Sequence, residues 1–178
     1  IGAGRTDVAK AMIGAIASRG GEVLIDGIDR KIKEPADAVA NGIALVPEDR
    51  LADGLVMDLG VKENISIPQL GRLSRMGIVD RDGESRLADE QIEALSIRTP
   101  SNSTVVHNLS GGNQQKVMIA RWLLRDAAVV LFDEPTRGID VSARAAIYHL
   151  MNELAVRGKT IVLASSDPDE LLGICDRI

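Results

Sequence analysis

The sequence has few aromatic residues, a single cysteine and no long apolar run. One tryptophan, one tyrosine and one phenylalanine in 178 residues argue against the aromatic platforms on which single-stranded nucleic acid stacks. One cysteine, Cys175, excludes an intrachain disulfide and is typical of a reducing compartment. The longest uninterrupted apolar run covers residues 127–132, whereas a membrane-spanning helix needs about 20 apolar residues.

An excess of basic residues is also missing. The chain carries 21 Lys and Arg against 26 Asp and Glu, which gives a formal net charge of −5. Proteins that bind nucleic acid or anionic membranes over a broad surface need surplus positive charge, so this balance disfavours both classes. The 45% of hydrophobic residues is enough for a core, and the length predicts one domain, or one domain with an inserted subdomain.

Strand and helix patterns alternate along most of the chain, which predicts βαβ crossovers and an α/β fold. Residues 58–108 are instead polar, interrupted by glycines and partly helical, and we predict that they form a helical subdomain inserted into a core of residues 1–57 and 109–178. The segments predicted as strands are 22–26, 43–46, 129–132 and 161–164. The segments predicted as helices are 7–17, 35–40, 82–95, 111–124, 141–156 and one that begins at 168.

Two carboxylates directly follow one of the predicted strands. Asp133 and Glu134 come after the apolar run 129–132, and buried strands deliver such residues to the crevice where α/β folds bind ligands. An aspartate there can hold a hydrated Mg²⁺, and a neighbouring glutamate can polarise an attacking water. The alternative is that either acid only caps the following segment, and this pattern alone leaves both interpretations open.

Two glycines open the helix that is predicted after Ser110. Ser110 is a good N-cap residue, and Gly111 and Gly112 allow a ligand to approach the first backbone amides of the helix. A helix N-terminus with free N–H groups is an anion-binding site. An ordinary capped helix is the alternative, but two glycines in its first turn would cost about 1 kcal/mol each relative to alanine, which favours a functional role.

The first residues match the end of a phosphate-binding loop. The pattern G-x-x-x-x-G-K-[ST] ends in a glycine, a lysine and a hydroxyl residue, and Gly4, Arg5 and Thr6 occupy these positions here. Arg5 replaces the lysine, and Gly-x-Gly turns are common, so this match alone is weak. The first glycine and its strand lie outside the chain, so we expect disorder or mobility around residues 2–6.

Together these elements resemble the nucleotide-binding domain of ATP-binding cassette proteins. Leu109–Gly112 is similar to the LSGG signature of that family, and 133–140 is similar to its Walker B motif and D-loop. The resemblance covers residues 2–178. The segments that most resemble the second, C-terminal ATPase half of ribose- and xylose-type sugar importers are 46–50, 109–117 and 133–140. Those importers fuse two cassettes in one polypeptide.

The resemblance implies a fold and two ligands. The fold is similar to that of P-loop NTPases: a mostly parallel sheet with flanking helices, a short antiparallel β portion and the inserted helical subdomain. ATP and Mg²⁺ are the implied ligands. In this family, each ATP lies between the phosphate loop of one cassette and the LSGG helix of its partner, where amides and a helix N-terminus surround the phosphates.

The resemblance also implies roles for individual residues. Thr6 and Asp133 would hold Mg²⁺, Glu134 would be the general base, and Asp140 would contact the partner across the dimer. The residues implied to touch the phosphates are Gly2, Ala3, Gly4, Arg5 and Thr6. The residues implied to reach the partner's nucleotide are Ser110, Gly111, Gly112, Asn113 and Gln114.

Three positions depart from the family pattern. Arg5 puts a planar, bulky guanidinium where the family has a compact lysine. Glu48 stands at the position of the Q-loop glutamine, and Ser166 stands at the position of the switch histidine. We therefore expect an asymmetric pair, in which this chain holds its own nucleotide but hydrolyses it poorly, while its intact LSGG element completes the partner's site.

The resemblance further implies a permease partner and a location at the cytoplasmic face of the inner membrane. Residues 58–108, near Glu48 and the segment 58–64, would meet the permease, and no nucleic acid would be bound. A non-hydrolysing regulatory nucleotide-binding module is one alternative, which Arg5 and Ser166 favour and Glu134 disfavours. A soluble cassette ATPase acting on nucleic acid or ribosomes is another, which the acidic balance and the few aromatics disfavour.

Overall fold

A computed structural model of the chain describes residues 4–18 and 20–178. The predicted phosphate-loop residues Gly2 and Ala3 lie outside the described residues. The chain divides into two compact units. The first comprises Ile1–Glu48, Ala127–Pro135 and Met151–Ile178, and the second comprises Asp49–Asp126 and Thr136–Leu150. The second unit contains the whole of the predicted subdomain; its boundaries at 58 and 108 stay a prediction.

The first 48 residues carry a helix after a glycine turn, and then a small hairpin. Gly4 has a left-handed φ of 73° and is followed at once by the first helix; the expectation of disorder or mobility around residues 2–6 stays a prediction. The hairpin is antiparallel and matches the predicted antiparallel β portion. The elements are α1 (Arg5–Met12), β1 (Leu24–Ile25), β2 (Ile28–Asp29), α2 (Pro35–Ala40) and β3 (Ile43–Val46).

The next stretch, from 49 to 126, is mainly helical, and it includes one hairpin that the sequence pattern does not predict. It opens with a π-helical turn over Arg50–Gly54, which Asp49 caps by accepting hydrogen bonds from two backbone N–H groups. The elements that follow are α3 (Val61–Ser66), a 3₁₀ turn (Ile67–Gln69), α4 (Leu70–Leu73), β4 (Ser74–Arg75), β5 (Ile78–Val79), α5 (Arg81–Ala94), a 3₁₀ turn (Val106–Asn108) and α6 (Gly111–Leu123).

The last third of the chain returns to the alternation of strand and helix. Its elements are β6 (Val129–Asp133), α7 (Val141–Val156), β7 (Thr160–Ala164) and α8 (Pro168–Ile174). Each of them corresponds to a segment that the sequence pattern predicts. Among the described residues, none of the helices is both long enough and apolar enough to cross a membrane.

A parallel sheet in the order β3–β6–β7 organises the first unit. The central strand β6 is buried, with Val130, Leu131 and Phe132 each 1% exposed, as expected for a parallel strand with neighbours on both sides. Val46 lies opposite Phe132, and Phe132 lies opposite Leu163. The carboxyl ends of the three strands therefore meet at one edge, where α/β folds bind their ligands.

The core of the first unit joins α1 and α2 to this sheet, and α1 also contacts β6 and β7. Burial of these apolar side chains holds α1 against the sheet, and each of the isoleucine and leucine side chains contributes about 1.5–3 kcal/mol. The buried residues of this core are Ala9, Ala38, Ile43, Leu45 and Leu131.

The second unit packs α3 against α5 and α6, around a buried polar centre. Asn64 is fully buried, and its side chain bonds the backbone N–H and C=O of Val56, both at 2.9 Å. Arg121 on α6 donates from Nε to the Asn64 carbonyl (2.8 Å), from Nη2 to Asn64 Oδ1 (2.6 Å) and from Nη1 to the Gly54 carbonyl. Burial lowers the pKa of Arg121 below its usual value.

Candidate functional site

The first turn of α1 brings the end of the predicted phosphate loop to the carboxyl ends of the strands. Thr6 Oγ1 donates a hydrogen bond to Glu48 Oε2 (3.3 Å), which follows β3. Arg5 Nη2 lies 3.4 Å from Oε1 of Glu134, which follows β6. The structure thus places Arg5 and Thr6 beside Glu134 and Glu48, so that two of the three departures from the family pattern, Arg5 and Glu48, lie at this point.

Glu134 is held at both carboxylate oxygens and through its backbone. Besides the contact of Oε1 with Arg5, its Oε2 accepts a hydrogen bond from Ser166 Oγ (3.0 Å), which follows β7. The backbone of Glu134 has a left-handed φ of 47°, and its N–H donates to the Ala164 carbonyl (2.8 Å). Such a conformation costs a non-glycine residue about 1–3 kcal/mol and clusters at functional sites.

One carboxylate oxygen of Asp133 is buried and can accept a ligand. The residue is 2% exposed, and its Oδ1 has no hydrogen-bond partner among the described residues. Burial raises the pKa of the Asp133 carboxyl above its ordinary value, and the nearby Glu134 carboxylate acts in the same direction, while the Thr6 hydroxyl, Lys10 and Arg5 lower it. A carboxylate oxygen beside a hydroxyl is a donor set that fits Mg²⁺.

We expect Asp133→Asn to raise the melting temperature of the nucleotide-free chain at neutral pH. The pKa of Asp133 is raised in the folded state. The protonated carboxyl therefore stabilises the fold fully at pH values below its unfolded pKa of about 4, and this stabilisation is lost as the pH rises through the folded pKa. The amide keeps the shape and removes the charge. Thermal melts of both forms from pH 7 downwards should show the difference shrinking; a variant that melts lower at neutral pH would contradict this.

The LSGG element opens α6 in the second unit. Ser110 is the N-cap residue, but its hydroxyl caps no backbone N–H. It accepts a hydrogen bond from the Asn113 side chain instead (2.9 Å), so the predicted N-cap position is confirmed and its hydroxyl is used for Asn113. A Cβ at Gly112 would lie 2.6 Å from Ala143 Cβ, which gives this glycine a packing role. A Cβ at Gly111 would meet Arg50 Nη2 at 3.1 Å.

The other residues predicted to face a partner lie around the starts of α6 and α7. Gln114 is 6% exposed; its Oε1 accepts from Arg50 Nε (3.1 Å) and its Nε2 donates to the Val106 carbonyl (3.2 Å). Asn113 Oδ1 accepts from the Arg98 N–H (2.8 Å). Asp140 Oδ1 accepts from the Ala143 N–H (2.9 Å). Their contact with a partner's nucleotide stays a prediction.

Arg50 is a residue of this site that the sequence interpretation missed. Its guanidinium lies between Gln114 and the backbone of the LSGG element, and a Cβ at Gly138 would be 3.9 Å from its Nη1. The sequence offered one indication of Arg50: it lies two residues after Glu48, at the end of the segment 46–50 that resembles the sugar importers. A cation beside a helix N-terminus adds to the attraction for an anion.

These features define the chain as an α/β nucleotide-binding domain of the P-loop type. The phosphate-loop helix start, the Asp-Glu pair and the unsatisfied carboxylate oxygen meet at the carboxyl edge of one parallel sheet. The chain belongs to the ABC transporter family, whose model matches residues 1–137. The resemblance to cassette proteins is thereby confirmed.

Curated relatives match the whole chain. It is 47% identical to the ribose import ATP-binding protein RbsA 2 of Burkholderia ambifaria and 45% identical to the arabinose import ATP-binding protein AraG of Pectobacterium atrosepticum. Both alignments cover 100% of this chain and 35% of the relative, so the chain spans about a third of their length. These matches do not confirm that the chain is the C-terminal ATPase half, which stays a prediction.

Solved structures of cassettes have the same fold. The crystal structure of a nucleotide-free ATP-binding cassette from an ABC transporter has a TM-score of 0.79 and 21% identity, over 98% of this chain and 71% of that one. A dimeric post-hydrolysis cassette, MJ0796 bound to ADP and Pi, has a TM-score of 0.74 and 24% identity, over 92% of this chain and 70% of that one. The predicted fold class, a parallel sheet with flanking helices, is confirmed.

Proposed function

We propose that the chain is the ATP-binding and ATP-hydrolysing domain of a carbohydrate import system, with a weakened site of its own and an intact LSGG element for a partner. The observation that carries this proposal is the meeting of Thr6, Asp133 and Glu134 at one edge of the sheet, with Asp133 Oδ1 buried and unpartnered among the described residues. Phosphoryl-transfer sites are built from such groups.

In the proposed site, residues 2–6 bind the phosphates, and Thr6 and Asp133 hold Mg²⁺. When bound, Mg²⁺ neutralises the negative charge that develops on the transferred phosphoryl group. Glu134 accepts a proton from the attacking water, and its carboxylate, 11% exposed, lies beside Arg5 at the phosphate-loop end of α1. Burial of Asp133 at 2% exposure keeps bulk water from competing for its oxygens.

The three departures support a slow reaction at this site because each disturbs a group that hydrolysis needs. Arg5 engages the general base in an ion pair of 3.4 Å. Glu48 adds a negative charge 3.3 Å from the Thr6 hydroxyl, where a glutamine would be neutral. Ser166 reaches Glu134 at 3.0 Å, but serine is too short to replace a histidine that holds both phosphate and water.

The LSGG element is proposed to serve the ATP of a second cassette. The start of α6 offers backbone N–H groups at the positive end of a 13-residue helix, which favours a negatively charged phosphate. Ser110 and Gly111 are not fully buried, so these amides are open to an incoming ligand. Asn113 and Gln114 are proposed to reach the same nucleotide, and Asp140 is proposed to contact the second cassette.

The import role and the partners come from the relatives. The relatives named above are import ATP-binding proteins for ribose and arabinose, which supports a carbohydrate as the transported class. We propose a permease contact through residues 58–108, a position peripheral to the cytoplasmic face of the inner membrane, and a second ATPase domain in the same polypeptide, because the relatives are much longer than this chain. The sugar itself is selected by the permease and its binding protein.

Steady-state ATPase assays test this proposal. The chain alone is expected to show weak turnover, and a mixture with the second ATPase domain is expected to turn over ATP robustly. Robust turnover by the chain alone would refute the asymmetric pair while leaving the ATPase assignment intact. A chain that fails to bind ATP in either preparation would refute the assignment itself.

A regulatory, non-hydrolysing module is a second candidate function. The observation that favours it is the engagement of both carboxylate oxygens of Glu134, by Arg5 and by Ser166. This candidate predicts ATP binding without turnover in the mixture as well as in the chain alone. The mixed assay therefore separates the two candidates.

We expect Ser166→Ala to change the paired ATPase activity by less than about twofold, because the competent site of the pair uses the partner's phosphate loop. Ser165→Ala is the control for a structural serine: Ser165 is 4% exposed, donates to Glu170 and accepts from the Asp167 N–H (3.0 Å), so its loss should lower the melting temperature. A large loss of turnover in Ser166→Ala would mean that the local site dominates.

A further inference from the structure

We propose that Arg5 is shared between two anions: the Glu134 carboxylate when no nucleotide is bound, and a phosphate group when a nucleotide occupies the site. This inference rests on the proposed function, because it assumes that the phosphate loop of this chain binds a nucleoside di- or triphosphate. It makes Arg5 a positioning residue for Glu134, and it couples entry of the nucleotide to release of the general base.

The guanidinium of Arg5 has donors to spare. Nη2 contacts Glu134 Oε1 at 3.4 Å, whereas the buried Nε has no hydrogen-bond partner in residues 4–18 and 20–178. An arginine carries five N–H donors in a planar fork that matches phosphate oxygens in pairs. The contact with Glu134 is longer than a typical charge-assisted hydrogen bond, so a phosphate arriving at the start of α1 can compete for the same group.

Glu134 is held by more contacts than Arg5. Its N–H is fixed to the Ala164 carbonyl at 2.8 Å, its φ is 47°, and Oε2 remains bonded to Ser166 at 3.0 Å. The side chain is 11% exposed, while that of Arg5 is 39% exposed. Arg5 is therefore the mobile partner of the pair, and its departure leaves Oε1 free to accept a proton from water.

A lysine would behave differently at this position. Its ammonium is a compact point charge without the planar fork, so it would lack the paired N–H donors with which arginine can meet a carboxylate and a phosphate in turn. The arginine at this position therefore links two events. When a phosphate occupies the site, Arg5 leaves Glu134, and the base becomes available.

A double-mutant cycle on ADP affinity tests this sharing without any turnover. Wild type, R5Q, E134Q and R5Q/E134Q are titrated with ADP by calorimetry, with and without Mg²⁺. Glu134→Gln removes the competitor for Arg5, so the gain in ADP affinity should be at least about threefold larger with Arg5 present than in the R5Q background. Where R5Q does not fold, as judged by thermal melts, R5M, which also removes the charge, takes its place in the cycle.

Asp7→Asn is the matched control. Asp7 is an exposed carboxylate on the first turn of α1, so it reports the general effect of removing a negative charge, and its effect should be the same in the wild-type and R5Q backgrounds. Equal effects of E134Q in both backgrounds would overturn the sharing while leaving nucleotide binding intact. Failure of the folded wild-type chain to bind ADP would overturn both the sharing and the proposed phosphate site.

Discussion

Gly111→Asp is expected to lower the paired ATPase activity by about 100-fold or more. The new carboxylate would stand at the first position of α6, where the proposed function places the γ-phosphate of the partner's ATP. The backbone N–H groups of α6 stay in place, but a carboxylate that keeps the phosphate away from them should cost at least as much as the loss of one preorganised donor, which lowers turnover about 100- to 1,000-fold. Steady-state turnover of the variant mixed with the second ATPase domain measures it.

The fold should survive this change, which makes the result informative. An aspartate in the first turn of a helix interacts favourably with the helix dipole. A Cβ at position 111 would lie 3.1 Å from the end of the Arg50 side chain and at an ordinary contact distance of 3.6 Å from the Gly138 carbonyl oxygen, and the Arg50 side chain can move or pair with the carboxylate. Gly111→Asn is the control of equal size without charge, and it should lose less activity. Full turnover in Gly111→Asp would mean that no phosphate approaches α6.

Arg121→Met is expected to destabilise the second unit by about 3 kcal/mol or more. Removal of the guanidinium takes this donor away from the buried carbonyls of Asn64 and Gly54, while Asn64 Oδ1 keeps only the N–H of Val56. Each buried group deprived of its partner costs about 1–3 kcal/mol. Methionine keeps most of the side-chain volume, so the loss reports the polar contacts rather than a cavity. The melting temperature should fall by about 6–12 °C.

Trp122, the one tryptophan of the chain, lies on α6 of the second unit, so its fluorescence follows the unfolding of that unit. Arg125→Met is the matched control, because Arg125 is exposed and lies four residues after Arg121. The thermal unfolding midpoint of this variant should stay close to that of the wild type. An Arg121→Met midpoint equal to that of the wild type would show that water replaces the guanidinium at no cost.

Local signals were sufficient for several elements. Pro35 at the first helical position and the Asn41-Gly42 stop place α2 where the structure has it, and the apolar run 43–46 becomes β3. The predicted helix 7–17 instead ends at Met12. Gly14, with φ 72°, lies so close to the next segment that a Cβ would be 2.6 Å from the Glu34 backbone nitrogen. That long-range contact has no local signature.

The residues of the candidate site could be named from the sequence, but their contacts could not. Arg5 and Glu134 are 129 positions apart, and Ser166 and Glu134 are 32 positions apart; only the strand order β3–β6–β7 brings them together. The roles of the two LSGG glycines also differ in a way that composition does not reveal. Helix propensity assigns Gly111 and Gly112 the same loss of helix stability relative to alanine, whereas in the structure Gly112 packs against Ala143.

The tight fit at Gly112 has a mechanical consequence. Because no methyl group can be inserted between Gly112 and Ala143, and because the Ala143 N–H is bonded to Asp140, the beginnings of α6 and α7 are linked through three residues. A displacement of Asp140 by a neighbouring cassette would be transmitted to the amides beside Gly112 without rearrangement of the intervening chain. A movement of the start of α7 is therefore expected to displace the start of α6 as well.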